Sequence, residues 1–352
     1  MKIKIVLYGI FPPPFGGVSI HLKRFKEYLD NSKINFVFVQ SNDLNNKCRF
    51  IKLFFRQVNL QRNIIHIHGF QSSAILIFLL ILTLFFNKKV IVTIHNDRFL
   101  FAYNSLSTIK KKIAKIFYIN ISHIISVNHE SKFGFIPNNK ISVIPAFITP
   151  TSEETDINQL PNFFNKVRKK HKFIITANAS KISFCNNQDL YGIDLSIELM
   201  KKLVDNGYKD IGFIYVIPDI GDYEYYKKIQ NLVKKYNLEN CFHFYTKPVA
   251  YPAVLNMCDL FIRPTNTDGD ALSVREALTL KIPAIASDVC KRPEGTILFK
   301  NRDIDDLYNK TKYVIDNYDE FKQQIVNIEF EDNAEKILEV YKKVLSEKWM
   351  EK

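Results

Sequence analysis

Short β-branched runs alternate along the chain with stretches whose apolar positions recur at helical spacing. In the first half the runs are KIKIVLYGI (2–10), NFVFVQ (35–40), NIIHIHG (63–69), KVIVTIH (89–95), HIISVN (123–128) and ISVIP (141–145). Between them lie the amphipathic VSIHLKRFKEYL (18–29), an apolar segment (74–86) and STIKKKIAKIFYINIS (107–122). Apolar strands separated by helices are the pattern of a parallel sheet covered on both faces. From 146 to 162 the periodicity stops and Pro, Thr, Ser and acidic residues gather, which predicts a linker. Alternation resumes with KFIITANAS (172–180), a helix over about 193–206, DIGFIYVI (210–217), a helix over about 222–236, CFHFYT (241–246), DLFIRPT (259–265) and IPAIAS (282–287). The expected fold class is α/β, with two doubly wound Rossmann-like domains over 1–150 and 163–330. Sheets of this kind bind ligands beyond the carboxyl ends of their strands, so a substrate touching both domains is expected in the cleft between them.

Length agrees with two domains, since 352 residues exceed one ordinary core. The five cysteines (48, 185, 241, 258, 290) form no CxxC pair and no zinc spacing with histidine, and read as reduced thiols of a cytosolic chain. The apolar run in MKIKIVLYGIFPPP stops at three prolines, which suits a first strand better than a secretory signal. Ala74 to Phe86 is thirteen residues with Thr83 its one polar member, short of the roughly 20 that span a bilayer, and predicts a buried or interfacial helix.

Charge divides the halves. Residues 1–150 hold 20 Lys+Arg against 5 Asp+Glu, or +15, and 151–352 hold 29 against 31, or −2, which together give the net +13. Lys110, Lys111, Lys112 and Lys115 stand beside apolar residues in the 107–122 stretch. Such a face fits either an anionic membrane surface or a merely solvated lysine-rich helix.

Several positions could carry chemistry. FPPPFGGVSIHL joins the first strand to the first helix, and Gly16 and Gly17 allow close approach to an anion at the helix start, although a structural turn would look the same. His68 and His95 each end a predicted strand. In TDGDALSVREA (267–277), Ser273 and Glu276 have the spacing of a capping box, the structural account of that pair. The functional account uses the same helix start: Gly269 permits a turn, the amides of Ala271, Leu272 and Ser273 cradle a phosphate, Glu276 takes two ribose hydroxyls, and Asp268 meets a sugar hydroxyl or balances nearby cations. Asp270 is assigned to the turn.

RPTNTDGDALSVREALTLKIPAIASDV resembles the E-x7-E signature of retaining GT-B glycosyltransferases of family 4, with Asp268 at the first acid and Glu276 at the second. FGGV is similar to that family's glycine loop, VIVTIH to its histidine-ending strand, RPEGTILFKNRDIDDL to the segment closing its donor site, and FEDNAEKILEVYKKVL to its C-terminal helix; NASK with DLYGIDLSIELM looks most like O-antigen and capsule enzymes. The resemblance implies a GT-B fold whose C-terminal helix (331–352) packs back on the first domain. It also implies a nucleotide-sugar donor, UDP favoured, bound without cofactor or metal. In that reading Asp268, Glu276 and His95 are catalytic, with His95 beside the anomeric carbon. Gly16, Gly17, Asn178, Lys181, Arg263, Gly269, Ala271, Leu272, Ser273 and Arg292 bind the donor, and His68 and Asn96 lie on the acceptor side. The acceptor is a lipid-diphosphate-linked glycan met at the inner face of the cytoplasmic membrane, with the enzyme peripheral to it. The departures are an aspartate at the first acid, no arginine after TANAS, Tyr191 rather than lysine before Gly192, and Lys281 in place of a glycine. Lys181 is the nearest replacement cation.

Two other classes compete. A nucleotide-sugar epimerase or hydrolase on the same fold needs an acid–base pair that Asp268 alone does not supply. A nucleic-acid-binding protein fits the charge, but the sequence contains no zinc finger or RNP pattern.

Overall fold

The computed structural model describes residues 4–13, 16–40, 63–68, 81, 83, 88–95, 103–127, 136–269 and 271–346. Asn96, Asp270, Cys48 and most of the apolar 74–86 segment lie outside these residues. The chain divides into two compact units, one of residues 1–148 with 332–352 and the other of 149–331.

In the first unit β1 (Lys4–Gly9) leads into α1 (Gly17–Asn31), followed by β2 (Phe36–Gln40), β3 (Asn63–His68), β4 (Lys89–Ile94), α2 (Thr108–Asn120), β5 (His123–Ser126) and β6 (Ile141–Val143). The sheet is parallel throughout, in the order β2-β1-β3-β4-β5-β6. Alternation decides which residues meet which layer. Val6, Tyr8, Ile65 and Val92 face Phe117 and Tyr118 of α2, while Ile5, Leu7, Ile64 and Ile91 face Leu22, Phe25 and Leu29 of α1.

The second unit contains α3 (Ser152–Thr155), α4 (Asn162–Lys170), β7 (Phe173–Asn178), the hairpin β8 (Phe184–Cys185) and β9 (Gln188–Asp189), α5 (Ile193–Asp205), β10 (Ile211–Val216), α6 (Tyr223–Lys235), β11 (Phe242–Tyr245), α7 (Tyr251–Met257), β12 (Leu260–Arg263), α8 (Leu272–Thr279), β13 (Ala284–Ser287), β14 (Thr296–Phe299), α9 (Ile304–Asp316) and α10 (Tyr318–Val326). Its sheet is also parallel, in the order β11-β10-β7-β12-β13-β14. The order reverses between β7 and β12, where doubly wound sheets open a binding crevice. The chain then returns to the first unit, where α11 (Asn333–Ser346) lays Ile337, Val340, Tyr341 and Val344 beside α1 and Asn333 donates to the Phe147 carbonyl at 2.9 Å.

Three expectations are corrected. The stretch 146–162 is not an unstructured linker: from residue 149 it belongs to the second unit, and it forms α3, a short 3-10 turn and the start of α4. Thr151 starts α3 through a capping box with Glu154, a signal that the surrounding Pro and Ser residues obscure. The segment 292–307 contains a sixth strand, β14, short enough to escape a periodicity reading. The capping box of Ser273 and Glu276 does not form, because α8 begins at Leu272 with Ala271 as its N-cap and Ser273 already lies inside the first turn.

No helix among the described residues is long and apolar enough to cross a membrane.

Candidate functional site

The crevice of the second sheet is built from strand ends. Asn178 closes β7 and Arg263 closes β12, on opposite sides of the point where strand order reverses. Arg263 spans the gap, with Nη1 donating to the Asn178 carbonyl at 3.2 Å and to Asn178 Oδ1 at 3.4 Å. Its other face grips Asp268, Nε to Oδ2 at 3.0 Å and Nη2 to Oδ1 at 3.3 Å. The Tyr191 ring lies beneath the guanidinium, 5.2 Å from its carbon.

Arg292 reaches the same carboxylate from the loop after β13. Nη1 donates to Asp268 Oδ2 at 2.9 Å, Nε to the Ser287 carbonyl at 3.0 Å, and Nη2 to Thr265 Oγ1 and Ser287 Oγ at 3.3 and 3.2 Å. Asp268 also accepts from Thr265 Oγ1 at 3.2 Å and from the Gly269 amide at 3.1 Å. Burial alone would raise this carboxyl, but Arg263 and then Arg292 outweigh it and hold its pKa at about 2. The Arg292 side chain is 2% exposed, against 12% for Arg263. Arg292 is therefore the more deeply buried anchor of the cluster, and Arg263 is the arginine nearer the surface.

Glu276 is buried one turn into α8 at 4% exposure, with Ala271, Leu272 and Ser273 buried around the same helix start. Tyr251, the first residue of α7, is close enough for its hydroxyl to feel the Glu276 charge, and it contacts Thr176 Oγ1 at 3.2 Å. Lys181 is exposed after β7, its aliphatic stem along Gly221. Lys281 holds φ +59°, the left-handed backbone for which a glycine is expected at that position, and its Nζ is tied to the Ile328 carbonyl at 2.6 Å.

Tyr191 owes its place to two neighbours. Gly192 adopts φ +64°, and a Cβ there would fall 2.2 Å from the Pro264 carbonyl oxygen, so no side chain fits between α5 and the end of β12. Asp189 accepts from the Tyr191 and Ile193 amides at 2.9 and 3.0 Å and from the Tyr225 hydroxyl at 3.0 Å. Burial and then the nearby Asp194 raise the Asp189 pKa to about 6, against the pull of those hydrogen bonds.

The first unit gathers histidines at the carboxyl edge of its own sheet. His68 ends β3 and His95 follows β4, and their Nδ1 and Nε2 atoms lie 2.9 Å apart. His21, from the first turns of α1, completes the group and bonds the Ala146 carbonyl through Nδ1 at 2.7 Å. His66 stands behind them, with Nδ1 2.5 Å from the Tyr341 hydroxyl and Nε2 2.7 Å from Thr93 Oγ1. In the glycine loop, the Gly16 amide donates to Ser19 Oγ at 3.0 Å as the N-cap of α1. Gly17 is the first residue of that helix.

The geometry thus unites Asn178, Arg263, Asp268, Gly269 and Arg292 in one hydrogen-bonded cluster and His68 with His95 in another. Sequence reading noted Tyr191 only as a departure and passed over Thr265 and Ser287; Tyr191 supports Arg263, and Thr265 and Ser287 support Arg292, from positions without local signal. It also passed over His21, whose position soon after the double glycine was the available clue.

Two parallel-sheet Rossmann-like domains make this an α/β protein whose structural neighbours are GT-B glycosyltransferases. One such neighbour is Anabaena Alr3699/HepE, crystallised with UDP and glucose, which matches at a TM-score of 0.65 and 14% identity over 97% of this chain and 98% of that one. Residues 168–332 match the family model described as glycosyl transferases group 1. Protein CapJ of Staphylococcus aureus is 28% identical over 205 residues, 53% of this chain and 51% of that protein. The O-antigen biosynthesis glycosyltransferase WclY of Escherichia coli is 24% identical over 235 residues, 64% of this chain and 61% of that protein. The alignments thus span between about half and three fifths of these relatives' length.

Proposed function

We propose that the protein is a retaining glycosyltransferase of family 4 that moves a sugar from a nucleotide-sugar donor, UDP-linked, to a lipid-diphosphate-linked glycan in O-antigen or capsule synthesis. The observation that carries the reading is the buried Asn178–Arg263–Asp268–Arg292 cluster at the β7/β12 crevice, with Glu276 eight residues after Asp268 on the helix that starts beside it. Guanidiniums held in place at strand ends suit the charge that develops on a departing diphosphate. Glu276 would take the ribose hydroxyls, and Asp268, its charge already balanced, would face the transferred sugar. Arg263 and Lys181 would meet the diphosphate with the start of α8. His95, His68 and Asn96 would serve the acceptor side, and no metal or cofactor is required for this chemistry. The relatives named for O-antigen synthesis and the UDP-bound neighbour support the same reading.

The test is transfer from a UDP-sugar to a synthetic polyprenyl-diphosphate sugar, with the product linkage read by NMR. The donor's anomeric configuration is expected in the product. Inversion, or release of free sugar without transfer, would contradict the proposal.

The acceptor implies work at a membrane surface, and α2 supports that. Lys110, Lys112 and Lys115 are exposed on it, and Ile109, Ile116 and Ile119 are 73%, 49% and 37% exposed beside them. Anionic vesicles are expected to pellet the protein at low salt and release it at high salt. Each lysine near such a surface contributes about 1 kcal/mol, so Lys112→Glu with Lys115→Glu should weaken binding at least about tenfold. Equal pelleting of the double variant would place the contact elsewhere.

A further inference from the structure

His21, His68 and His95 come from three separate segments, after β1, at the end of β3 and after β4, and each offers one ring nitrogen within 4.8 Å of the other two. Their ring centres form a nearly equilateral triangle, 5.3 Å from His21 to His68, 5.2 Å from His21 to His95 and 5.2 Å from His68 to His95. Three imidazoles bound tetrahedrally to one ion at about 2.0–2.1 Å per nitrogen place their ring centres about 5 Å apart. The ring centres therefore have the spacing of a three-histidine metal centre, and the nitrogens, within 4.8 Å of one another, would draw to about 3.4 Å on a shared ion.

The tautomer of His21 fits as well. Its Nδ1–H donates to the Ala146 carbonyl at 2.7 Å, which leaves the lone pair on Nε2. That Nε2 is buried with no hydrogen-bond partner, in a residue 1% exposed. A backbone carbonyl on the far nitrogen is the usual outer support of a metal-bound histidine, fixing ring direction and raising basicity. His66 does not compete, since both its nitrogens are engaged by Tyr341 and Thr93.

We infer that His21, His68 and His95 form a binding site for one divalent transition-metal ion of the zinc class, with the fourth coordination position open. A neutral all-nitrogen set selects zinc, cobalt, nickel or copper over magnesium or calcium. The inference goes beyond the transferase reading and does not depend on it; with the ion bound, His68 and His95 are its ligands, and an acceptor would meet the open fourth position rather than these rings. The two strand ends and α1 would be joined by the ion, and His95, half-buried, marks the side from which it enters.

The experiment uses the full chain, stripped with chelator and kept reduced, then titrated with Co2+ and competed with Zn2+. One Co2+ per chain is expected, with the strong ligand-field bands of a four-coordinate ion, displaced by stoichiometric Zn2+. His21→Gln should weaken binding by at least about 100-fold, the upper range reached by outer-shell defects alone. His123→Gln, which alters a buried histidine 2.8 Å from Ser142 Oγ outside the triangle, should leave binding unchanged. Absence of a stoichiometric Co2+ site, or equal affinity in His21→Gln, would overturn the inference. Should His21→Gln fail to fold, X-ray absorption of the zinc-loaded native chain decides: three imidazoles in the first shell support the site, and a thiolate or oxygen-only shell overturns it.

Discussion

Asp268→Ala is expected to destabilise the second unit by about 3–5 kcal/mol, the cost of removing one partner from a buried ion pair and leaving the other charge uncompensated. The cost comes from what the side chain leaves behind. Arg292 is 2% exposed and Arg263 is 12% exposed, so neither guanidinium can recover its lost partner from water without opening the crevice. Urea unfolding followed in both variant and parent measures the loss directly. Arg292→Met should partly rescue Asp268→Ala, because it removes one of the stranded charges; additive losses would show that the two residues do not form one unit. The pH dependence carries a definite sign. The folded pKa of Asp268 lies at about 2, below its unfolded value, so its contribution is present above about pH 4 and is lost as pH falls through about 2. The shift is worth roughly 2 kcal/mol, so Asp268→Asn should flatten the acid limb of the stability profile.

Glu276→Ala is expected to weaken nucleotide-sugar binding by about 10- to 150-fold, the equivalent of 1.5–3 kcal/mol for hydrogen bonds to a charged group. The expectation depends on the helix register. Because α8 starts at Leu272 with Ala271 as its N-cap, Ser273 and Glu276 do not stand at the N-cap and N3 positions of a capping box. Its buried carboxylate stands one turn inside a helix whose start is formed by Ala271. Isothermal titration of the variant checks the effect. Glu276→Gln should recover part of the loss, since an amide oxygen can still accept from one hydroxyl.

The fold was legible because each strand of a parallel sheet buried on both faces is a continuous apolar run. Ile211–Val216, buried at every position, is the clearest case. Short elements were less legible. Thr296–Phe299 and Ser152–Thr155 are four residues each, too brief for either period to assert itself. In the site, the spacing of Asp268 and Glu276 was readable because both lie within one loop and one helix. The pairing of Arg263 with Asn178 joins residues 85 positions apart, and that of Arg292 with Asp268 joins residues 24 apart. Such partners are assigned by sheet order, not by local pattern, which is why the bond between Arg292 and Asp268 was not legible in the sequence. The histidine triangle escaped for the same reason, since its ligands share no spacing that a metal motif would have.

The central claim is that the second unit binds a nucleotide sugar through Glu276. Thermal unfolding of the parent and of Glu276→Ala, with UDP, GDP, CMP and dTDP sugars and with NAD, tests it most directly. The account predicts stabilisation of the parent by a UDP sugar, about 2.7 kcal/mol at a hundredfold excess over Kd, and its loss in the variant. No stabilisation by any nucleotide sugar, or an equal shift in both proteins, would contradict it.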